Sequence, residues 1–454
     1  MSETRQPAPD GGGTAPEPDA AADVVTQDTV APDAEGAAAD AGAGDPQQAY
    51  RWREALVRVT SGGWAVSLGA VVLAVLAGSV MMIAFTDEGV QQASGYFFAR
   101  PGDTFAAIGQ AVGGAYAALF RGAVYNYTAD SFAQAIRPLT QSLTYATPLI
   151  AAGLGLAIGF RSGLFNIGGQ GQMLMAAVGA GWVGFALDLP AGLHLVVALV
   201  VGVTAGALWG GLAGLLKAAT GAHEVIVTIM LNYVAFYLLS YLLATPGLLQ
   251  APGSANPKSP PMASTAVLPR LLGPEFRLHL GFLLALVAVA VAWWLLERSK
   301  LGFQLRAVGE NQRAARVAGI DVPRSTVLAM LVSGALVGLA GSTQVLGLIT
   351  TGFSYDIDAG IGFDAITVAL LGSSSPVGVL FAGLLFGGFK AGGSVMQASE
   401  GIPIEIVLVV QSLIVLFIAA PPLVRAVFRL PQPARRPARP ARTTGAPRRQ
   451  EVQR

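Results

Sequence analysis

The chain contains no cysteine, so it can form neither a disulfide framework nor a thiolate metal site. Histidine is nearly as scarce: His194, His223 and His279 lie far apart, and no HExxH pair is present to hold a catalytic zinc. The only lysines are Lys217, Lys258, Lys300 and Lys390. None follows a glycine, which removes the phosphate-cradling Walker A loop and ATP hydrolysis by that route. Charge of either sign is thin as well, at 12% of residues. A soluble protein averages about 25%.

Apolar residues take the place of charge. They make up 53% of the 454 residues, mean hydropathy is +0.57, and apolar runs near twenty residues recur. That length crosses a hydrocarbon core of ~30 Å as a helix, and it overrides the prior of about three soluble domains that length alone suggests. The ends differ. Residues 1–49 carry ten Asp and Glu against one basic residue, Arg5. Such a stretch buries too little apolar surface to offset its ordering entropy, so 1–55 is expected to be a disordered acidic cytoplasmic tail. It lacks the basic-then-apolar start of a signal peptide. Residues 425–454 carry nine Arg and one acid, Glu451, and 426–454 is expected to be a second disordered cytoplasmic tail.

Between the tails, over 60–425, the sequence predicts an all-α polytopic membrane protein. About ten spans are expected, near 64–86, 138–160, 164–187, 193–216, 224–245, 278–296, 325–347, 357–372, 377–395 and 403–424. The shorter segment 102–120, flanked by Arg100 and Arg121, reads as an interfacial helix. Basic residues favour the cytoplasm, and Arg51, Arg53 and Arg58 precede the first span. This places Arg161, Lys217 and the loop 297–324 inside and the linker 246–277 outside. A cytoplasmic Arg-rich C-terminus then needs an even number of spans, which holds if GSSSPVG (372–378) breaks the late apolar stretch at Pro376.

Glycines recur at four-residue spacing, as in Gly206/Gly210/Gly214, Gly334/Gly338, Gly383/Gly387 and Gly388/Gly392, which suits close helix packing in lipid. Within HEVIVTIMLNY (223–233), Glu224, Thr228 and Asn232 share a helical face. Glu224 is expected at the cytoplasmic end beside Lys217, favoured there by the helix dipole. Thr228 and Asn232 lie deeper, where either interhelical hydrogen bonding or a pathway lining suits them. The stretch GLFNIGGQGQ (163–172) places amides among glycines between apolar runs. Asn166 and Gln170, four apart, are expected on one face and Gln172 on another, with Gly163, Gly168, Gly169 and Gly171 allowing close approach or an unwound start to the span. Finally, in the loop 298–324, Asn311 can cap a two-turn helix QRAARVA that Gly319 ends. Arg313 and Arg316 are expected to be exposed. Ala314, Ala315 and Ala318 offer a small-residue face suited to a groove on a partner.

The stretches TPLIAAGLGLAIGFRSGLFNIGGQGQMLMAA (147–177), HEVIVTIMLNYVAFYLL (223–239), LRAVGENQRAARVAGIDV (305–322), SGALVGLAGSTQVLG (333–347) and GFDAITVALLGSSSPVG (362–378) resemble the membrane subunits of bacterial ABC importers for nucleosides and simple sugars. The nucleoside branch is the nearer. The resemblance covers about 138–424. It implies a type II ABC importer-like permease fold, multi-pass in the bacterial cell membrane with both termini cytoplasmic. It also implies a second permease chain, identical or different, paired around a central pathway, and an extracellular binding lipoprotein that delivers substrate. A cytoplasmic ABC ATPase would grip the coupling segment at Gly309, Glu310, Asn311, Arg313, Ala314, Ala315, Arg316, Ala318 and Gly319. ATP and magnesium then belong to that ATPase and this chain holds no cofactor; lipid surrounds it and nucleic acid is not an expected partner. One departure stands out: the family often carries a carboxylate where this chain has Gln170.

The spans show no cluster of Arg or Lys that a phosphate would need, so a nucleotide is not the expected cargo. Amides, hydroxyls and aromatics suit a ribose with a base, and Asn166, Gln170, Thr228, Asn232, Tyr233 and Phe236 are the candidate pathway-lining residues. No acid–base pair of catalytic character is visible. The alternatives are the same machinery carrying a simple sugar such as ribose, or a self-sufficient secondary transporter using Glu224. The latter would need a counterpart acid in a matching span of the second half, and none is read there.

Overall fold

Helices dominate because each backbone N–H and C=O can then pair within its own segment, away from water. The computed structural model describes residues 63–85 and 88–429, and among these the sheet-like pairing is one isolated bridge between Arg270 and His279. The acidic tail, with Arg51, Arg53 and Arg58, and the Arg-rich tail beyond 429 lie outside the described residues. In chain order the helices are α1 (Gly63–Phe85), α2 (Glu88–Ser94), α3 (Pro101–Ala123), α4 (Phe132–Arg161), α5 (Gly169–Ala186), α6 (Leu193–Thr220), α7 (Glu224–Ala244), α8 (Gly281–Arg298), α9 (Lys300–Glu310), α10 (Gln312–Val317), α11 (Val322–Thr343), α12 (Ile361–Leu371), α13 (Pro376–Glu400), α14 (Ile404–Ala419) and α15 (Pro421–Val427). A π-helical turn, Gln344–Leu348, continues α11.

Among the described residues, six segments are long and apolar enough to cross a membrane: α4, α6, α7, α8, α11 with its π-turn, and α13. Shorter apolar helices occupy Leu68–Ala84, Ile361–Leu371 and Ile404–Phe417. With α5 these cover the ten expected segments. Their ends differ in informative ways. α5 begins at Gly169, so the first residues of the expected span 164–187 are not helical. α12 has 11 residues. At 1.5 Å per residue that is about 16 Å, half a hydrocarbon core. The irregular segment before it is held inside protein, with Phe353, Ile357 and Asp358 all buried, which is the setting where non-helical backbone is tolerated.

The break at GSSSPVG is present. Ser373 and Ser374 adopt φ of +51° and +52°, and the Ser375 hydroxyl accepts from the Gly378 N–H at 3.1 Å to cap α13. α3 is longer than the expected 102–120 and packs along α13, burying Ala115, Ala118 and Gly122. The loop after α8 contains the amphipathic helix α9, which was not expected; it buries Leu305 and Val308.

α4 forms the centre. From Leu149 to Ile158 its side chains are almost wholly enclosed by α8, α11, α12 and α13, which is why this helix is apolar all round. α6 packs most extensively against α11, along the glycine line read from the sequence.

Candidate functional site

The GLFNIGGQGQ stretch leaves α4 through Gly163, at φ +72°, and runs unwound to α5. A helix start exposes backbone N–H groups that need acceptors. Here the neighbouring α7 supplies them. Asn232 Oδ1 accepts from Gly171 N at 2.8 Å, while Asn232 Nδ2 donates to the Ile167 carbonyl at 2.9 Å. Thr228 Oγ1 accepts from Ile167 N at 3.3 Å. Asn166 Oδ1 accepts from Gly168 N at 2.8 Å, and Asn166 Nδ2 donates to Ser333 Oγ on α11 at 3.0 Å. Thr228 and Asn232 do lie on one face of α7, as their spacing predicts. The expected shared face of Asn166 and Gln170 does not exist, because Asn166 precedes the helix. It turns instead toward Gln172, at 3.4 Å.

Asn166, Thr228 and Asn232 are therefore buried and committed to a latch that joins α5, α7 and α11. Asn232→Leu leaves Gly171 N and the Ile167 carbonyl unpaired and is expected to destabilise the protein by about 2 kcal/mol. Thermal unfolding of the detergent-purified protein checks this, and an unchanged midpoint would rule the latch out. Gln170 donates to Asp358 Oδ1 at 3.4 Å, so the segment without a charge of its own meets a carboxylate from the buried segment before α12. Tyr233 is 57% exposed on the opposite side of α7, and Phe236 packs edge-on against Tyr355. At the start of α7, Lys217 Nζ lies 2.6 Å from Glu224 Oε2, the pairing expected there.

A cavity of about 500 Å³ lies elsewhere, between α4, the π-turn, α12, α13 and α14. None of the six candidate pathway residues lines it. Its walls are apolar and aromatic, including Leu348, Ile361, Phe389 and Val407. Gln344, Gln411, Tyr145, Ser394, Lys390 and Arg277 are the polar groups around it. Lys390 Nζ lies 2.8 Å from Asp364 Oδ2, and the pair joins α13 to α12. The second half thus does carry an acid within a span, Asp364, contrary to the sequence reading, but its charge is held by this lysine. Gln344 and Gln411 are both buried, and Gln344 Oε1 and Gln411 Nε2 have no hydrogen-bond partner among the described residues. Each is a lone amide in an otherwise apolar run, and that was the available sequence signal.

The loop expected to couple to an ATPase folds as α9 and α10. Asn311 Oδ1 accepts from Arg313 N and Ala314 N at 3.0 Å each, and Gly319 at φ +81° follows the end of the helix. Glu310, Arg313, Ala314, Arg316 and Ala318 are exposed. Ala315 is not: it packs inward with Val308, Val322 and Ile320, so the expected three-alanine face is divided. Val317, which the sequence did not single out, is 91% exposed. Gly309 abuts Gly163, where a Cβ on Gly309 would lie 2.9 Å from Gly163 N. The end of α9 thus touches the turn that begins the GLFNIGGQGQ stretch.

A family profile described as the permease component of branched-chain amino acid transport systems matches residues 139–419. The chain is 40% identical over 296 residues to the guanosine ABC transporter permease protein of Bacillus subtilis (strain 168), covering 63% of this chain and 82% of that one. It is 36% identical over 289 residues to the glucose ABC transporter permease protein of Haloferax volcanii, covering 62% and 75%. It is 34% identical over 298 residues to the nucleoside ABC transporter permease protein of Lactococcus lactis subsp. cremoris, covering 62% and 79%. No solved structure matches the chain.

Proposed function

The chain belongs to the family of branched-chain amino acid transport permeases, and we propose that as such a subunit it carries nucleosides inward, driven by ATP hydrolysed on a separate subunit. The kinship with the guanosine permease carries this reading. The cavity agrees with it: about 500 Å³ holds a nucleoside, and its walls suit a flat base.

In this reading two permease chains pair in the bacterial cell membrane with their termini inside. A lipoprotein delivers the nucleoside from outside. An ABC ATPase grips α10 and its closure reaches the pathway through Gly309 and Gly163. Glu224 and Asp364 each sit in an ion pair, which disfavours a proton-driven carrier working alone.

Uptake into vesicles tests the reading. Accumulation of labelled guanosine is expected to require the ATPase and ATP, and to be indifferent to a proton gradient. Transport that persists without the ATPase would overturn it. The similarity to a glucose permease favours a second reading, a simple sugar. Excess ribose or glucose is expected not to compete with guanosine; strong competition by sugar and none by nucleosides would select the sugar.

A further inference from the structure

Two glutamines in the cavity lack what most buried polar groups have. Gln344 is 2% exposed and Gln411 4%, on different helical elements, yet both line the same space. Among the described residues Gln344 Oε1 is an acceptor without a donor and Gln411 Nε2 a donor without an acceptor. A buried polar group left unpaired is costly, so each calls for a partner that enters the cavity. Gln344 also opens the π-helical turn Gln344–Leu348, a distortion frequent at functional positions.

We propose that Gln344 and Gln411 read the hydrogen-bonding edge of the nucleobase, Gln344 Oε1 accepting from a base N–H and Gln411 Nε2 donating to the neighbouring base acceptor. This rests on the nucleoside reading and names the part of the solute that the cavity recognises. Uracil, hypoxanthine, guanine and adenine each present adjoining donors and acceptors on that edge. Their faces fit between Phe389, Leu348 and Val407, as flat bases fit between aromatic and apolar side chains in other pockets. A bare sugar fits this end of the cavity poorly. Its hydroxyls project all round the ring and would meet the apolar walls unpaired. A base edge offers a neutral donor and a neutral acceptor, which uncharged amides match.

The test compares inosine with purine riboside, which lacks both the N1–H donor and the O6 acceptor of inosine's edge. Uptake is measured in proteoliposomes holding the complete transporter and its delivery protein, and is normalised to the amount of assembled complex. The delivery protein is unchanged between variants, so any shift in the inosine-to-purine-riboside ratio localises to the permease. Gln344→Met is expected to lower that ratio about tenfold, the usual effect of removing one partner from a buried pair. Gln344→Leu is run beside it, so a packing failure in one does not remove the test, and Gln344→Glu, which keeps an acceptor, is expected to retain the ratio. Gln411→Met is expected to lower the ratio likewise by about tenfold, since only inosine presents the O6 acceptor beside the N–H. An unchanged ratio in Gln344→Met and Gln344→Leu, with wild-type inosine uptake intact, overturns base reading by this pair and leaves the nucleoside function standing. A wild type that imports ribose and not inosine overturns the nucleoside function itself.

Discussion

Gly334→Leu is expected to remove nearly all folded protein from the membrane. Gly334 lies where α11 crosses α6, and the two backbones touch there. A Cβ on Gly206 would sit 2.6 Å from Gly338 Cα and 2.7 Å from the Gly334 carbonyl oxygen. One turn further, a Cβ on Gly210 would sit 2.6 Å from the Met330 carbonyl oxygen. No flexible side chain stands between the helices to give way, so a leucine must push them apart. Oversized core substitutions cost about 1–3 kcal/mol where side chains can shift. Here only backbone can move, and the cost is expected at the upper end, about 3 kcal/mol. The separation also strains the latch, because Ser333, beside Gly334, holds Asn166 at 3.0 Å. Gly334→Ala should be milder, since alanine returns roughly 1 kcal/mol in helix propensity. Gly113→Leu is the control: nothing lies within 4 Å of a Cβ there. Size-exclusion yield and thermal midpoint in detergent report the outcome. A Gly334→Leu protein with wild-type yield and midpoint would mean that the helices do not cross this closely.

The elements that local rules govern were legible in the sequence. Apolar run length located the spans, four-residue glycine spacing marked the α6–α11 crossing, and Ser373–Pro376 marked the break before α13. Asn311 announced its own cap because capping needs only the next few residues. What failed to show depends on partners far along the chain. The unwound stretch at 164–168 exists because Asn232, 65 residues beyond Ile167, takes its carbonyl, and no local period reveals that. Gln170 carries no charge, yet meets one from Asp358, 188 residues later. Gln344 and Gln411 escaped notice because a lone amide in a span has many packing uses, and only the shared cavity distinguishes these two. The inward face of Ala315 was hidden for a different reason. α10 has six residues, too few for a periodic pattern to fix which side faces the protein.

That last point decides how the coupling role should be tested. Ala315→Arg would force a charge between Val308, Val322 and Ile320, and would detach α10 from its own chain before any partner is involved. Val317→Asp avoids this. Val317 is 91% exposed, so within this chain the change is expected to leave stability unaltered. Exposed Ala314 and Ala318 lie near it, with Arg313 and Arg316 on the same helix, as a small apolar tip seated in a partner's groove would require. Docking would bury the valine, and aspartate would instead place an unpaired carboxylate there. The lost burial and the desolvation together amount to about 2–4 kcal/mol, roughly thirty- to several-hundred-fold in affinity. The expected result is a variant that inserts and purifies normally, no longer co-purifies with its ATPase, and has lost ATP-driven uptake. The contact between Gly309 and Gly163 makes the functional loss steeper than the binding loss. α9 and α10 reach the GLFNIGGQGQ turn backbone to backbone, so an ATPase that binds loosely also pulls on that turn loosely. A Val317→Asp protein that retains its ATPase at wild-type stoichiometry and still transports would place the docking surface away from α10.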